Sequence, residues 1–310
     1  MTNILIITES NDTSAKKVMD WLDFYETKVE RKNVNIDFSE INIQINNKSS
    51  TTSLLSSVIW NRRGYLPMIP TNLKQTYWID YLKKEQQIVL FSLEHFNKQN
   101  YIGSYQQELQ NNKLLNLQEA ANVGLNIPNT LVTNNKKDLF AFVKKDKKYI
   151  TKSLNFPPNL ETATHYYSGN GTTLLDLENI NDYFAPSLVQ EYIEKEIEIR
   201  VFFIEDNFYP MAIFSQNDTQ TKIDFRNYNQ EKPNRNVPFI LVEDLLNKIK
   251  QFVSNIKSNT GSIDLILTPE GKYVFLEINP MGQYDWLSID CNYHIDKKIA
   301  ELLIEKSNNV

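Results

Sequence analysis

The chain of 310 residues contains one cysteine, Cys291, so no intrachain disulfide can form, which fits a reducing cytoplasm. No apolar run approaches the roughly 20 residues of a membrane-spanning helix. Met1-Thr2-Asn3-Ile4-Leu5-Ile6-Ile7-Thr8 has no basic leader and no small-residue cleavage site, and its apolar stretch reads as a buried strand. Positive charge is not in excess: the net charge is −5, which argues against broad nucleic-acid binding yet leaves room for a local cluster of Lys and Arg around phosphates. The three histidines, His95, His165 and His294, lie far apart and no serine sits in an elbow motif, so a nucleophilic triad is not indicated. Gly169-Asn170-Gly171 is not followed by the lysine of a P-loop, which removes that fold.

A hydrophobic content of 41% and an aromatic content of 12% describe a globular protein long enough for two or three domains with buried cores. The chain reads as α/β in three parts: residues 1–105, 106–189 and 190–310. The first has strands at 4–8, 57–60 and 87–91, and an amphipathic helix over 14–24 with Val18, Trp21, Leu22 and Tyr25 on one face. Residues 46–57 are polar and read as a loop. The second part opens with a helix over 112–121 closed by Gly124, followed by strands near 127–132 and 148–152. The third has strands at 197–204 and 209–215, and a long helix over 242–256 with Leu245, Leu246, Ile249, Phe252, Val253 and Ile256 at helical spacing.

Chemistry concentrates near the C-terminal end. Residues 262–266 and 273–280 read as adjacent strands joined by the turn Thr268-Pro269-Glu270-Gly271, which brings Asp264 opposite Glu277 and Asn279. Alternation puts Glu277 and Asn279 on one side, with Phe275 sharing it further back. Two carboxylates and an amide oxygen suit a hard cation such as Mg²⁺, which takes further ligands from phosphates and so points to a nucleoside triphosphate. Carboxylates inside an apolar strand are costly unless something compensates them.

Asn112-Lys113, Tyr149-Ile150-Thr151-Lys152, Gln190-Glu191-Tyr192-Ile193, Glu198-Ile199-Arg200, Asp264 and Glu277-Ile278-Asn279-Pro280 resemble, in order and spacing, the motifs of the ATP-grasp ligases over about residues 105–310. Trp60-Asn61-Arg62-Arg63, Asp224-Phe225-Arg226 and Asn279-Pro280-Met281-Gly282-Gln283-Tyr284-Asp285-Trp286 are similar, more narrowly, to the graspetide macrocyclases of the grasp-with-spasm type. The resemblance implies an ATP-grasp fold with an N-terminal pre-ATP-grasp domain, ATP and Mg²⁺, a ribosomal precursor peptide with leader and core as partner, a homo-oligomer, and a cytoplasmic location. It implies that ATP phosphorylates an Asp or Glu side chain, which a Ser, Thr or Lys side chain then attacks to give an ester or amide. An ATP-grasp ligase adding an amino acid to a protein or small acid, and an inactive peptide-binding homologue, are the alternatives; retention of Asp264, Glu277 and Asn279 speaks against the second.

By the same resemblance Lys113 and Lys152 meet phosphates, Gln190, Glu191, Tyr192 and Ile193 form the adenine linker, and Glu198 takes the ribose, with Glu191 and Glu194 as alternatives. Gly169 and Gly171 belong to a loop over the phosphates, where backbone N–H groups can approach an anion. Lys222 is a further phosphate contact. Guanidinium groups suit the charge of acyl-phosphate chemistry, which makes Arg200 and Arg226 catalytic candidates. Asp224 either orients Arg226 or acts as base; a purely structural Asp/Arg pair is equally consistent. Ser262 stands where some ligases carry an arginine for a small carboxylate, which weakens a free-amino-acid reading. Trp60-Asn61-Arg62-Arg63 has no role derivable from sequence beyond packing of Trp60.

Overall fold

The computed structural model describes residues 4–34, 40–52, 58–66, 76–155, 160–162, 164–167 and 171–309. Ile4–Thr8 is buried along its whole length, lying between the parallel strands Val29–Asn33 and Val58–Asn61, with Tyr101–Ile102 at the far edge. A parallel strand of this kind needs cover on both faces. Ile4 and Ile6 meet Val18 and Leu22 of the helix Thr13–Phe24, while Leu5 and Ile7 meet Val34, Ile59 and Leu66. That helix starts where the Asp12 side chain accepts from the Ser14 and Ala15 N–H groups.

Two local expectations fail in this layer. Residues 87–91 are helical, inside Thr76–Phe96, and not a strand. Gln86, Leu90, Leu93 and Glu94 are the buried positions and Ile88 is 63% exposed, a helical pattern that the short apolar run concealed. The segment read as a loop contains a strand, Ser50–Thr52, paired with Ile43–Ile45. Asn46 makes this hairpin possible by accepting from the Lys48 and Ser49 N–H groups. Residues 53–57 lie outside the described residues.

Asn112 caps the helix Lys113–Asn122, and Gly124 ends it with φ +82. Beyond it an antiparallel sheet runs in the order Thr173–Leu174, Tyr149–Lys152, Tyr183–Glu191, Thr130–Asn135. Its own core is small, built on Leu139, Tyr149 and Val189.

A five-stranded antiparallel sheet follows, in the order Arg235–Pro238, Asn207–Phe214, Ile197–Ile204, Thr260–Leu267, Tyr273–Asn279. Ile197, Ile199, Val201, Phe203, Ile263 and Leu265 pack on Leu245, Ile249 and Phe252 of the helix Glu243–Asn255. The alternate positions Glu198, Arg200 and Asp264 therefore face the other way, toward the cleft.

The last helix, Ile295–Asn308, returns to the N-terminal layer. Its Ile299, Ala300 and Leu303 share one core with Ile4, Val18 and Trp60. Trp21 Nε1 donates to Asp296 at 2.7 Å and Tyr25 Oη to Glu301 at 2.9 Å. The expected 190–310 unit thus gives its final helix to the first layer, where it covers the face of Ile4–Thr8 that carries Ile4 and Ile6.

Candidate active site

One rung of the five-stranded sheet carries the key charges. Arg200 pairs with Asp264 across one strand boundary and Asp264 with Glu277 across the next. Arg200 Nη1 reaches both Asp264 oxygens, at 3.0 and 3.2 Å. Asn279, two pairs further along opposite Ser262, turns Nδ2 toward Asp264 at 3.5 Å. A half-turn about its last side-chain bond would present Oδ1 there instead.

A bulge aims this rung. Asp264 pairs with Glu277 but Leu265 pairs with Phe275, so Leu276 is an extra residue. Leu276 and Glu277 both line the cleft, while Phe275 goes with Ile278 into the core beneath. The expectation that Phe275 shares the face of Glu277 is therefore wrong, because strict alternation does not cross a bulge.

Cations from three directions converge on Glu277. Lys152 Nζ, from the central sheet, lies 3.5 Å from its carboxylate; Lys113 Nζ, from its helix N-terminus, 3.6 Å; Arg226 Nη1, from the 221–229 segment, 3.8 Å. Burial works to raise the Glu277 pKa, but Lys152, Lys113 and Arg226 outweigh it and hold it low. The opposite balance holds at Asp264: burial pushes it up to about 6, Arg200 opposes, and Glu277 pushes further up. Burial and the neighbouring cations depress Lys152 despite Glu277. Charges about 4 Å apart gain roughly 4 kcal/mol at an effective dielectric near 20, whereas each buried ion loses several kcal/mol of hydration. Such a cluster does little for folding and is suited to a charged ligand.

The donor set fits a divalent cation. Two carboxylates side by side, one of them raised by the other, are relieved by a positive charge between them, and Asn279 can add an amide oxygen. Among the described residues no cluster of three or more His, Cys, Asp or Glu forms a metal site by itself, which leaves room for phosphate oxygens as the remaining ligands.

The cleft lies between the two antiparallel sheets. Ile150, Tyr192, Ile193, Ile266 and Leu276 supply its apolar walls, Lys152, Asp264 and Glu277 its polar end. Next to it, and sharing Phe225, Arg226 and Asp264 with it, a wider chamber opens toward the N-terminal layer. Glu9, Arg63, Glu108, Asn111, Asn279, Gly282 and Trp286 line that chamber, with Arg200 at its inner end. The Arg200 guanidinium also stands over the Trp286 ring, 5.9 Å from its centre.

No family model matches the sequence. An uncharacterized protein of Methanocaldococcus jannaschii is 26% identical over 205 residues, 63% of this chain and 48% of the relative, so the match spans about half the relative's length. Among solved structures, a RiPP-associated ATP-grasp ligase of Chryseobacterium gregarium, in complex with ADP and a leader and core peptide, superposes with TM-score 0.82 at 23% identity, covering 99% of this chain and 97% of that one. The chain has the ATP-grasp fold. The macrocyclase MdnC of Microcystis aeruginosa, bound with precursor peptide MdnA, gives 0.76 at 23% identity over 97% and 99% of the two chains. D-alanyl-alanine synthetase A of Vibrio cholerae gives 0.58 at 15% identity over 100% and 98%.

Within this ATP-grasp fold the structure brings together Lys113, Lys152, Arg200, Asp224, Arg226, Asp264, Glu277 and Asn279, and places Gln190, Glu191, Tyr192, Ile193 and Glu198 along the cleft. The Glu191 and Tyr192 N–H groups donate to Asn129 and Lys148 carbonyls, and the Glu191 carboxylate is held by Lys147 and Asn129. Asp224 accepts from Arg226 Nε at 2.8 Å and Nη2 at 2.6 Å, and from the Thr172 N–H at 3.2 Å. Burial raises it, but these donors bring its pKa below the ordinary value, and they hold its carboxylate on Arg226. Lys222 is exposed and lines neither the cleft nor the chamber. Gly171 is open to its surroundings, and Gly169 lies outside the described residues.

Sequence reasoning missed Lys195 and the outer chamber. Lys195 Nζ is buried, 2.8 Å from Glu198 and 3.0 Å from the Ile223 carbonyl; Ser215 Oγ donates to the same Glu198 at 2.6 Å. Burial raises Glu198 against these partners. The three-residue spacing between Lys195 and Glu198 was the available signal, hidden in a run of glutamates that resembles a solvated face. Nothing in the sequence marks Glu9 or Glu108, which meet the site only through the fold. Cys291 is buried in the shared core, its thiol pushed up to about 11 by that burial, as suits a packing residue.

Proposed function

We propose that this chain is an ATP- and Mg²⁺-dependent peptide ligase that activates an Asp or Glu side chain as an acyl phosphate and joins it to a second side chain of the same peptide. The observation that carries this reading is the Arg200–Asp264–Glu277 rung at the junction of two clefts, one apolar-walled with a charged end, the other wide and lined by charged groups. The structural likeness to a ligase with leader and core peptide, and to a macrocyclase with its precursor, supports a peptide in the wider chamber.

In this reading Ile150, Ile193, Ile266 and Leu276 sandwich the adenine, Glu198 meets the ribose, and Lys113 and Lys152 turn from Glu277 to the phosphates. Asp264, Glu277 and Asn279 would hold Mg²⁺, which supplies charge neutralisation at the transferred phosphoryl group. Arg226, held by Asp224, faces the same point. A carboxylate oxygen of the peptide bonds to the terminal phosphorus as ADP leaves; the acceptor side chain then bonds to the carbonyl carbon as phosphate leaves. Arg200 and Arg226 stabilise the negative charge in both steps. Each link removes the elements of one water from the peptide.

Mass spectrometry tests this with Mg·ATP and any short Glu/Asp-rich, Ser-, Thr- or Lys-containing peptide found encoded beside the gene. Loss of one water per link, with ADP formed, is expected. Arg226→Ala should retain ADP binding while its linkage rate drops about 10²–10³-fold. A peptide that instead grows by the mass of an amino acid would replace this reading with that of an amino-acid-adding ligase.

A further inference from the structure

Lys195 is buried more deeply than Lys152 or Lys113, with 3% of its side chain exposed. An ammonium withdrawn from water needs acceptors, and its two acceptors belong to different parts of the site. Nζ stands 2.8 Å from Glu198 Oε1 and donates to the Ile223 carbonyl at 3.0 Å. Glu198 lies on Ile197–Ile204 in the wall of the apolar-walled cleft, and is the carboxylate that the proposed function gives to the ribose. Ile223 lies in the segment 215–234, which leaves the sheet after Asn207–Phe214, returns at Arg235–Pro238 and forms only one short helical turn, Ser215–Asn217. Asp224, Phe225 and Arg226 follow Ile223 directly. Two contacts converge on Glu198 to fasten this segment: Ser215 Oγ donates to Oε1 at 2.6 Å where the segment begins, and Lys195 holds its middle. From there short contacts reach the reacting centre. Asp224 accepts from Arg226 at 2.6 and 2.8 Å, and Arg226 Nη1 stands 3.8 Å from Glu277.

We propose that Lys195 is a positioning residue that ties the ribose-facing carboxylate to the backbone carrying Arg226, so that a nucleotide seated on Glu198 also fixes the guanidinium beside Glu277. This rests on the nucleotide half of the proposed function and states how the cleft and the chamber are linked. Both donors to Glu198 use Oε1, and among the described residues none uses Oε2, which leaves that oxygen for the ribose hydroxyls. Hydroxyls on Oε2 favour the ionised carboxylate, and an ionised Glu198 holds the Lys195 ammonium harder than a neutral one. Burial and the charge of Asp224 work to neutralise Glu198, and Lys195, with Ser215, opposes them. The same ammonium holds the Ile223 carbonyl, so what steadies Lys195 steadies the main chain leading into Arg226. Ser215 does the first of these tasks without the second, since it meets Glu198 at the start of the segment. The link is reciprocal: a ligand that steadies Arg226 strengthens the hold on the ribose.

Hydrogen exchange read by mass spectrometry on the intact protein tests this, with saturating Mg·ADP and Mg·2′,3′-dideoxy-ADP as the two probes. Mg·ADP is expected to slow amide exchange over 221–227 ~10-fold or more beyond the dideoxy nucleotide, while both slow Tyr149–Lys152 alike. In Lys195→Met the ADP-specific protection of 221–227 should vanish while that of Tyr149–Lys152 persists, which separates loss of the tie from loss of binding. Ser215→Ala, which removes the other donor from Glu198 and leaves the Ile223 tie, should keep it; its loss there would overturn the assignment to Lys195. Calorimetry adds a readout that a lysine serving stability alone would not move: the preference for ADP over the dideoxy nucleotide, expected at ~10-fold or more and lost in Lys195→Met. Equal protection of 221–227 by the two nucleotides in the unmodified protein, a measurement that needs no variant to fold, would overturn the link. So would an ADP-specific protection or preference that survives Lys195→Met. If Mg·ADP itself fails to bind, the parent reading falls; if it binds and protects 221–227 no better than the dideoxy nucleotide, only the role of Lys195 falls.

Discussion

Asp264 shows how a single residue reports on the state of the site. Its folded pKa of about 6 lies above the 3.8 of a free carboxyl, chiefly through burial and with help from Glu277. Between those two values the folded protein keeps a proton that the unfolded chain has released, so the contribution of this group to stability falls as pH rises from about 4 to 6. Metal binding needs the ionised form. The extra thermal stabilisation that Mg²⁺ gives to the ADP complex should therefore be small near about pH 5 and full by about pH 7.5, as thermal-shift titrations with and without chelator would show. A flat response over that window would remove Asp264 from the metal ligands. Lys152 and Glu277 were recognisable in the sequence as charges in otherwise apolar or β-rich strands. Their mutual distance of 3.5 Å was not, because one belongs to the central sheet and the other to the C-terminal sheet.

At the level of elements, the strand Tyr273–Asn279 and the segment after it set the site's geometry. The bulge at Leu276 turns Glu277 and Asn279 toward the cleft, and residues 280–284 then fold back over Ser262. Gly282 is what permits this: a Cβ there would lie 2.1 Å from Ser262 Oγ and 2.5 Å from its backbone N. Gly282→Ala should cost about 1–3 kcal/mol, measured by denaturant unfolding, and should weaken the Mg²⁺ response by displacing Asn279. Ser262→Ala should not rescue it, since the backbone clash remains; full rescue would show the segment to be freely adjustable. Arg62 fastens the same segment from the N-terminal side, donating Nη1 to the Met281 carbonyl at 3.1 Å and standing 5.5 Å over the Tyr284 ring. The Trp60-Asn61-Arg62-Arg63 motif thus has a place in the fold: Trp60 fills the shared core, Arg62 ties the loop, and Arg63 lines the chamber. The sequence displayed the motif without its partners, which lie about two hundred positions away.

Across the whole molecule the cores are unequal. The N-terminal layer, the last helix and one face of the C-terminal sheet share a single large core, while the central sheet depends mainly on Leu139, Tyr149 and Val189. The strands Thr130–Asn135, Tyr149–Lys152 and Tyr183–Glu191 should accordingly exchange amide hydrogens faster than Ile197–Ile204, Thr260–Leu267 and Tyr273–Asn279, and Mg·ADP should slow them by bridging Lys152 to Asp264 and Glu277. Equal protection of the two sheets without nucleotide would contradict this. The sequence alone determined what local chemistry dictates: the helices over 14–24 and 112–121, the fully apolar run of Ile4–Thr8, the strand 197–204, and the acidic pair on adjacent strands. It gave a strand for the helical 87–91, a loop for the strand 50–52 and strict alternation where the bulge lies, because short apolar or polar runs suit more than one backbone. Only the tertiary structure decided that the final helix completes the first layer, that Lys195 neutralises Glu198, that Asp224 serves Arg226, and that Glu9 and Glu108 face Arg200 across one chamber. Such pairings depend on which surfaces need covering and which charges need partners once the sheets have met, and neither condition is written within any single stretch of chain.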